Sequence, residues 1–104
     1  MDLCKLVFSL VRGIDDKALA DQLSRSAISI PSNIAEGAGK ASQKAFYNHL
    51  NIAYASACEL QTQIILGGFL LDRQVDSEEE LAVRVQKMLF SLMSRIKQKH
   101  LVQY

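Results

Sequence analysis

Apolar residues recur at every third or fourth position along almost the whole chain, and this spacing is the strongest constraint on its fold. In one segment the stripe consists of Leu19, Leu23, Ala27, Ile30 and Ile34. A period near 3.6 residues is typical of an amphipathic α-helix, which buries one face and exposes the other. Alternating β-branched runs and Asn-Gly or Asp-Gly hairpin turns, the usual strand signals, are absent from the sequence. The sequence therefore predicts an all-α protein.

Four such segments are separated by short polar connections. The four predicted helices span approximately residues 2–12, 16–37, 42–71 and 77–100. Asp15 or Asp16 is a suitable N-cap for the second helix and Ser42 for the third, and Ser77 with Glu80 matches a capping box before the fourth. Short connections between helices favour antiparallel neighbours. We therefore predict a single domain, residues 1–104, that folds as an antiparallel up-down-up-down four-helix bundle with a short first helix.

The only proline, Pro31, lies inside the second predicted helix. Proline has no backbone N–H, and its ring clashes with the carbonyl four residues earlier, which here belongs to Ala27. The helix is therefore predicted to be kinked at Pro31, and the Ala27 carbonyl needs another donor. The hydroxyls of Ser26, Ser29 and Ser32 are candidates, because serine readily bonds to nearby backbone groups.

Composition narrows the classes of function. With 49% hydrophobic and 22% charged residues, the chain has the composition of a globular protein and not of a disordered one. The formal net charge of +1 lacks the basic excess of most nucleic-acid-binding domains, although it leaves room for a local basic surface. No run reaches the roughly 18 apolar residues of a membrane span. Cys4 and Cys58 form no CxxC pair, so we predict a cytoplasmic protein with reduced thiols and no membrane association.

The sequence offers no catalytic or metal-binding motif. His49 and His100 have no second ligand at metal-binding spacing, and Cys58 has no recognisable base. Ser29 lacks the GxSxG context of hydrolases. The stretch GAGKAS, residues 37–42, lacks the full spacing of a phosphate-binding loop and follows no strand. We therefore predict no enzyme activity, no metal and no cofactor.

A polar seam follows one face of the second predicted helix. Arg25, Ser29, Ser32 and Glu36 are spaced by four, three and four residues, which places them on the same face. Glu59 lies among small residues of the third helix, and we hypothesise that it forms an ion pair with Arg25. Two interpretations stay open: the seam stabilises the bundle or a subunit interface, or it contacts a ligand or RNA.

Five basic residues are candidate contacts for nucleic acid. Two follow the second predicted helix and three belong to the end of the fourth: Lys40, Lys44, Arg95, Lys97 and Lys99. The alternative is that the basic residues of the fourth helix only complement the negative end of its dipole. In a symmetric oligomer a weak basic patch is repeated, and its phosphate contacts add.

Two stretches resemble a known family. DQLSRSAISIPSNIAEGAGKAS, residues 21–42, resembles the signature of the 23S ribosomal RNA intervening-sequence protein family, also called the four-helix bundle protein family. NIAYASACELQTQI, residues 51–64, is similar to the third helix of that family. The residues that match the two motifs are Gln22, Arg25, Ser29, Ile30, Pro31, Asn33, Ile34, Glu36 and Gly37, followed by Ser56, Glu59 and Leu60.

The resemblance implies a left-handed four-helix bundle that assembles into a homopentameric ring, and it implies no known activity. The family takes its name from genes found within insertions in ribosomal RNA genes. The resemblance also implies a distant relationship to the accessory variability determinant of diversity-generating retroelements, a strongly basic pentamer that engages a reverse transcriptase and nucleic acid. This chain differs from that branch in its net charge of +1 and from the family in its short first helix.

The residue patterns and the family resemblance together predict a non-enzymatic, oligomeric helical bundle. We predict that it acts as a binding or scaffold protein, with RNA, DNA or a nucleoprotein as its partner. The alternative is a structural ring that docks a protein, such as the reverse transcriptase of a diversity-generating retroelement, without direct nucleic-acid contact. A third hypothesis is an enzyme that uses Arg25, Ser29, Glu36 and Glu59, for which no nucleophile and base are evident in the sequence.

Overall fold

The computed structural model describes residues 1–101, which fold into helices joined by short connections. The elements are α1 (Asp2–Val11), α2 (Lys17–Ala38), α3 (Gln43–Leu71) and α4 (Asp76–Ile96), and a π-helical turn, Lys97–Leu101, continues α4. No strand occurs within the described range. The predicted all-α four-helix bundle with a short first helix is thereby confirmed.

The helices pack side by side into an elongated bundle of 49 × 21 × 20 Å. The central helix α3 packs against α2 on one side and α4 on the other, while α1 contacts all three of its neighbours. Because short connections join helices that lie side by side, successive helices run antiparallel. The largest fully buried side chains belong to the first three helices and include Leu3, Val7, Leu23, Ile30, Leu50, Leu60 and Ile64. Within residues 1–101, no helix combines the length and apolar character that crossing a membrane requires.

Two of the predicted N-caps are present. Asp16 Oδ1 accepts a hydrogen bond from the backbone N–H of Leu19 at 2.9 Å, at the start of α2. Ser42 Oγ accepts one from the N–H of Ala45 at 3.1 Å, at the start of α3. Each side chain satisfies a backbone donor that has no partner within the first turn of its helix.

The predicted capping box before α4 is wrong. The helix begins at Asp76 after Val75, which offers no side-chain cap, so Ser77 lies inside the first turn and not at the N-cap. A contact with the preceding connection accompanies this start: the carboxylate of Glu78 is buried, and its Oε2 lies 2.9 Å from Nη2 of Arg73, five residues earlier. The buried carboxylate also benefits from the positive end of the α4 dipole. The α-helix ends at Ile96, where the π-helical turn begins, rather than at residue 100.

The carbonyl that Pro31 leaves without its usual donor is satisfied from another helix. Helix α2 continues from Lys17 to Ala38 with Pro31 inside it. Cys4 Sγ of α1 donates to the Ala27 carbonyl at 3.3 Å, so the prediction of a serine donor is wrong. Burial raises the pKa of the Cys4 thiol, which keeps it protonated and able to donate. The kink at Pro31 stays a prediction.

The contact between Cys4 and the Ala27 carbonyl predicts a coupling between residues 4 and 31. We expect Cys4→Ala to lower the free energy of unfolding by about 1 kcal/mol more in the natural chain than in a Pro31→Ala background. The reason is that an alanine at residue 31 supplies the N–H that the Ala27 carbonyl otherwise lacks. Urea denaturation of the four chains of this double-mutant cycle measures the coupling. The matched control is Cys58→Ala, which removes the thiol of α3 and should show no coupling to residue 31. If Cys4→Ala lowered the free energy of unfolding equally in both backgrounds, the assigned hydrogen bond would be contradicted.

Candidate functional site

A hydrogen-bonded network joins α2 to α3 along the polar seam. Ser29 Oγ lies 2.8 Å from Ser56 Oγ on α3, and either hydroxyl can be the donor. Asn33 Nδ2 donates to the Ser29 carbonyl at 2.9 Å and to Ser29 Oγ at 3.1 Å. The structure thus brings together three residues of the family-like motifs, two on α2 and one on α3.

His49 extends this network to Glu36. Its Nδ1 lies 3.1 Å from Asn33 Oδ1. Because Asn33 uses its amide nitrogen to bond Ser29, its oxygen is the acceptor, and Nδ1 of His49 carries the proton in this contact. On the other side of the ring, Nε2 lies 3.8 Å from Glu36 Oε2, where protonation creates an ion pair. We call Ser29, Asn33, Glu36, His49 and Ser56 the α2–α3 network.

Gly37 makes the position of His49 possible. A Cβ at residue 37 would lie 2.6 Å from the Cβ of His49 and 3.0 Å from Cδ1 of Phe46, which is closer than side chains normally approach. A glycine therefore lets the end of α2 come close to the beginning of α3. From the sequence, His49 was considered only as a metal ligand and this contact was missed, for which the glycine in the motif was the available signal.

The other motif residues line an open groove above the network. Gln22, Arg25 and Glu59 line this groove of about 430 Å³, together with Ser29 and Ser56 at its base. Arg25 and Glu59 are both exposed. The hypothesised ion pair between them is not formed. Within residues 1–100, the carboxylates that lie within ion-pair distance of a basic group are Glu36, beside His49, and Glu78, beside Arg73. Exposed charges gain little from pairing because water solvates each of them well.

A second network fixes α4 against α3. Gln86 Nε2 on α4 donates to the Ala57 carbonyl at 3.2 Å and to Gln61 Oε1 at 2.8 Å. Gln61 Nε2 in turn lies 3.4 Å from Glu79 Oε1. These bonds were not predicted from the sequence, because glutamines at ordinary helix positions carry no local signal of their partner.

The α2–α3 network has the chemistry of a structural contact. The hydroxyl of Ser29 bonds to Ser56 and Asn33, neither of which is a base. The polar atoms of the α2–α3 network bond to one another across two helices. These bonds fix how the two helices are rotated and aligned. Within the described residues, no group of three potential metal ligands is found.

The charges of the bundle are separated along its long axis. The end formed by residues 36–50 and 90–100 carries a single carboxylate, Glu36, and all five candidate nucleic-acid contacts. We call the exposed side chains of Lys40, Lys44, Arg95, Lys97 and Lys99 the basic end. They share one end because α3 begins where α4 finishes, and the π-helical turn packs against α3. The opposite end, residues 11–20 and 68–80, carries seven carboxylates and three basic residues.

The side of α3 that faces away from the core carries exposed apolar side chains, most of them in the last two turns of the helix. We call its exposed members Ile52, Ile65, Leu66, Phe69 and Leu70 the outer face of α3. The side chain of Phe69 is the extreme case, with 81% of its surface exposed. Four of these side chains lie within two turns of one another, at residues 65–70, whereas the exposed Glu59 and Thr62 separate Ile52 from them. A cluster of exposed apolar side chains commonly marks a protein contact.

Comparison with known proteins gives one family. The family model described as 23S rRNA-intervening sequence protein matches residues 1–91, which include α1, α2, α3 and most of α4. No curated protein matches the chain.

The close contact at Gly37 generates a matched pair of substitutions. We expect Gly37→Ala to lower the free energy of unfolding by about 1–3 kcal/mol, because the new methyl group forces α2 away from His49. Gly39→Ala is the control: its Cβ would lie 3.6 Å from the nearest atom, the Glu36 carbonyl oxygen. It should be neutral or stabilising by about 0.4–1 kcal/mol. Thermal and urea denaturation measure both, and equal effects of the two substitutions would refute the role of Gly37.

Proposed function

Since the chain belongs to the 23S rRNA-intervening sequence protein family, we propose that it is a non-enzymatic, oligomeric bundle that binds RNA or a nucleoprotein through its basic end. The basic end is the observation that carries this proposal. Five exposed basic side chains from two segments distant in sequence meet at one end, beside a single carboxylate. Such a surface attracts phosphates, and each contact releases counterions.

Oligomerisation would multiply this surface. The outer face of α3 offers apolar area that a neighbouring subunit can cover, and Ile28 of α2 and Phe90 of α4 add exposed apolar side chains on its two flanks. Two different flanks suit a heterologous contact, which closes into a ring when the rotation between subunits allows it. The resemblance to the family implies five subunits. A ring of this kind presents several basic ends at once, which raises avidity for a long polyanion.

A binding role without chemistry is supported by the polar contacts. The motif residues Ser29, Asn33 and Ser56 are occupied with one another, and the groove above them is open to solvent. We also propose that the protein is cytoplasmic. The thiols of Cys4 and Cys58 are both free, as is usual in a reducing compartment.

The second candidate is a ring that docks a protein without touching nucleic acid. The exposed Phe69 and its apolar neighbours on α3 favour this alternative, because they suit a protein surface better than a phosphate backbone. The net charge of +1 favours it as well. In that case a reverse transcriptase is the partner that the resemblance suggests.

The basic end predicts salt-dependent binding to nucleic acid. We expect a labelled structured RNA to bind the oligomer with an affinity that falls linearly in log salt. The double variants Lys40→Glu with Lys44→Glu, and Lys97→Glu with Lys99→Glu, should each lower the salt slope by about two, since each removes two phosphate contacts. Fluorescence anisotropy across a salt series, repeated with duplex DNA, measures both effects.

The control for this experiment has the same charge change at the opposite end. Arg12→Glu with Lys17→Glu should leave RNA affinity nearly unchanged, because these residues lie among carboxylates about 30 Å or more away along α2. Equal losses in all three double variants would show a non-specific effect of net charge. Absence of binding at low salt would remove nucleic acid as a direct partner and leave protein docking.

The outer face of α3 predicts a loss of assembly on substitution. Leu66→Glu should lower the molar mass measured by light scattering towards that of a single 11.6 kDa chain, because a carboxylate cannot be buried there without a partner. Met88→Glu is the control, since Met88 is also largely exposed but lies on α4, away from this face. Retention of the same mass by both variants would exclude this face as the subunit contact.

A further inference from the structure

The two helices that form the open α2–α3 groove carry very little charge on their outward sides. Glu59 is the only aspartate or glutamate of α3, and Arg25 is the only charged residue within residues 22–35 of α2. Both side chains are exposed, and they line the groove from opposite walls. A helix face in contact with water usually carries many charged and polar residues, whereas the core of a protein interface is depleted of charge. The outward sides of α2 and α3 are therefore typical of surfaces that another protein chain covers.

The two charges lie at nearly the same height along the bundle. Ser29 bonds to Ser56, which fixes the register of these antiparallel helices. Arg25 lies four residues before Ser29 and Glu59 three residues after Ser56, so their heights differ by about 1.5 Å. Rotation about an axis parallel to the bundle keeps these heights. In a ring with that symmetry, Arg25 of one copy lies level with Glu59 of the next.

Each of these charges belongs to a row of exposed residues. On α2 the members are Ala18, Gln22, Arg25, Ile28 and Ser32, which we call the α2 row. On α3 they are Ile52, Ala55, Glu59, Thr62 and Leu66, which we call the α3 row. Successive members are three or four residues apart, which is the spacing of one helix face. The two rows are therefore surfaces on which a neighbouring helix can lie.

The two rows are complementary in size as well as in charge. With the same register, Leu66 lies level with Ala18, and Ile52 lies level with Ser32. Ile28, in turn, lies within about 3 Å of the height of the alanine in the α3 row. The three large side chains are each about half exposed. Where one row has a large side chain the other has a small one, so the rows fit together as ridges fit into grooves.

We propose that the α2 row of one copy packs against the α3 row of the next copy, and that Arg25 pairs with Glu59 of that neighbouring copy. The inference rests on the oligomer of the proposed function, and it names the surface that covers Ile52 and Leu66 of the outer face of α3. Because two different rows meet, the contact is heterologous and repeats around a ring. The ion pair that does not form within one chain forms between chains, where apolar neighbours exclude water and strengthen it.

Charge reversal tests this contact through the molar mass measured by light scattering. Arg25→Glu and Glu59→Arg should each weaken assembly about tenfold or more, because each brings like charges together. The chain with both substitutions again joins opposite charges and should recover the mass of the natural oligomer. The matched controls are Arg84→Glu and Glu80→Arg, which change exposed charges of α4 outside both rows and should leave the mass unchanged. Equal losses in the controls, or no recovery in the double variant, would overturn the proposal.

Mixing the two variants distinguishes a contact between copies from an ion pair within one chain. In an equimolar mixture of the Arg25→Glu chain and the Glu59→Arg chain, every contact between unlike chains joins opposite charges. The mixture should therefore assemble more strongly than either variant alone, although a ring of five must keep one contact between like chains. A pair within one chain gains nothing from mixing, so the same mass before and after mixing would overturn the proposal.

The fit of large against small side chains is tested without a change of charge. Ser32→Trp should weaken assembly, because the indole fills the space that Ile52 of the next copy occupies. Ser91→Trp is the control, since Ser91 is an exposed serine of α4 outside both rows. Equal molar masses of the two variants would contradict the assigned packing.

The failure of this inference is distinguishable from the failure of the proposed function. If the natural chain is an oligomer that Leu66→Glu dissociates and the charge reversals do not, the inference alone fails, because another surface then covers the outer face of α3. If the natural chain has the mass of one chain, the oligomer of the proposed function fails and this contact with it.

Discussion

The close approach of α2 and α3 at Gly37 is the contact on which the rest of the bundle depends. A Cβ at residue 37 would lie 2.6 Å from the Cβ of His49, so a glycine is needed for the two helices to meet there. Their proximity brings Asn33 against the His49 ring and Ser29 against Ser56. Because buried polar groups cost free energy unless they find partners, these bonds fix the rotation and alignment of α2 on α3. Helix α3, held in this way, presents its other side to α4.

Local signals were sufficient to predict the four helices, because apolar spacing and caps act over one or two turns. Asp16 and Ser42 cap their helices as expected. The predicted cap of α4 was wrong: the helix begins at Asp76, one residue before Ser77, and Glu78 in its first turn pairs with Arg73 of the preceding connection. The predicted partner of the Ala27 carbonyl was wrong because its donor belongs to another helix. Sequence reasoning searched within one turn of Pro31, whereas the donor is Cys4, 23 residues from Ala27.

The candidate site shows the same division between local and tertiary information. The spacing of the seam predicted that Ser29 and Glu36 share a face, and both belong to the α2–α3 network. Their bridging partner His49 was missed, because its contact depends on how closely two helices pass and not on its own neighbours in sequence. The distribution of charge was hidden as well. A net charge of +1 averages over two ends of opposite sign, and only the antiparallel order of the helices places Lys40 and Lys97 at the same end.

This separation of charge constrains how copies of the bundle can assemble. In a ring whose symmetry axis follows the long axis of the bundles, all basic ends would lie on one face of the ring and all acidic ends on the other. Like charges then come close on both faces, and their repulsion opposes the gain from burying the outer face of α3. A polyanion on the basic face removes part of this repulsion. Binding and assembly are thermodynamically linked: if a polyanion strengthens the assembly of the ring, the assembled ring must bind the polyanion more tightly than the single chain does. Assembly and phosphate binding would therefore be one coupled equilibrium in such a ring, with the acidic face as the remaining electrostatic cost.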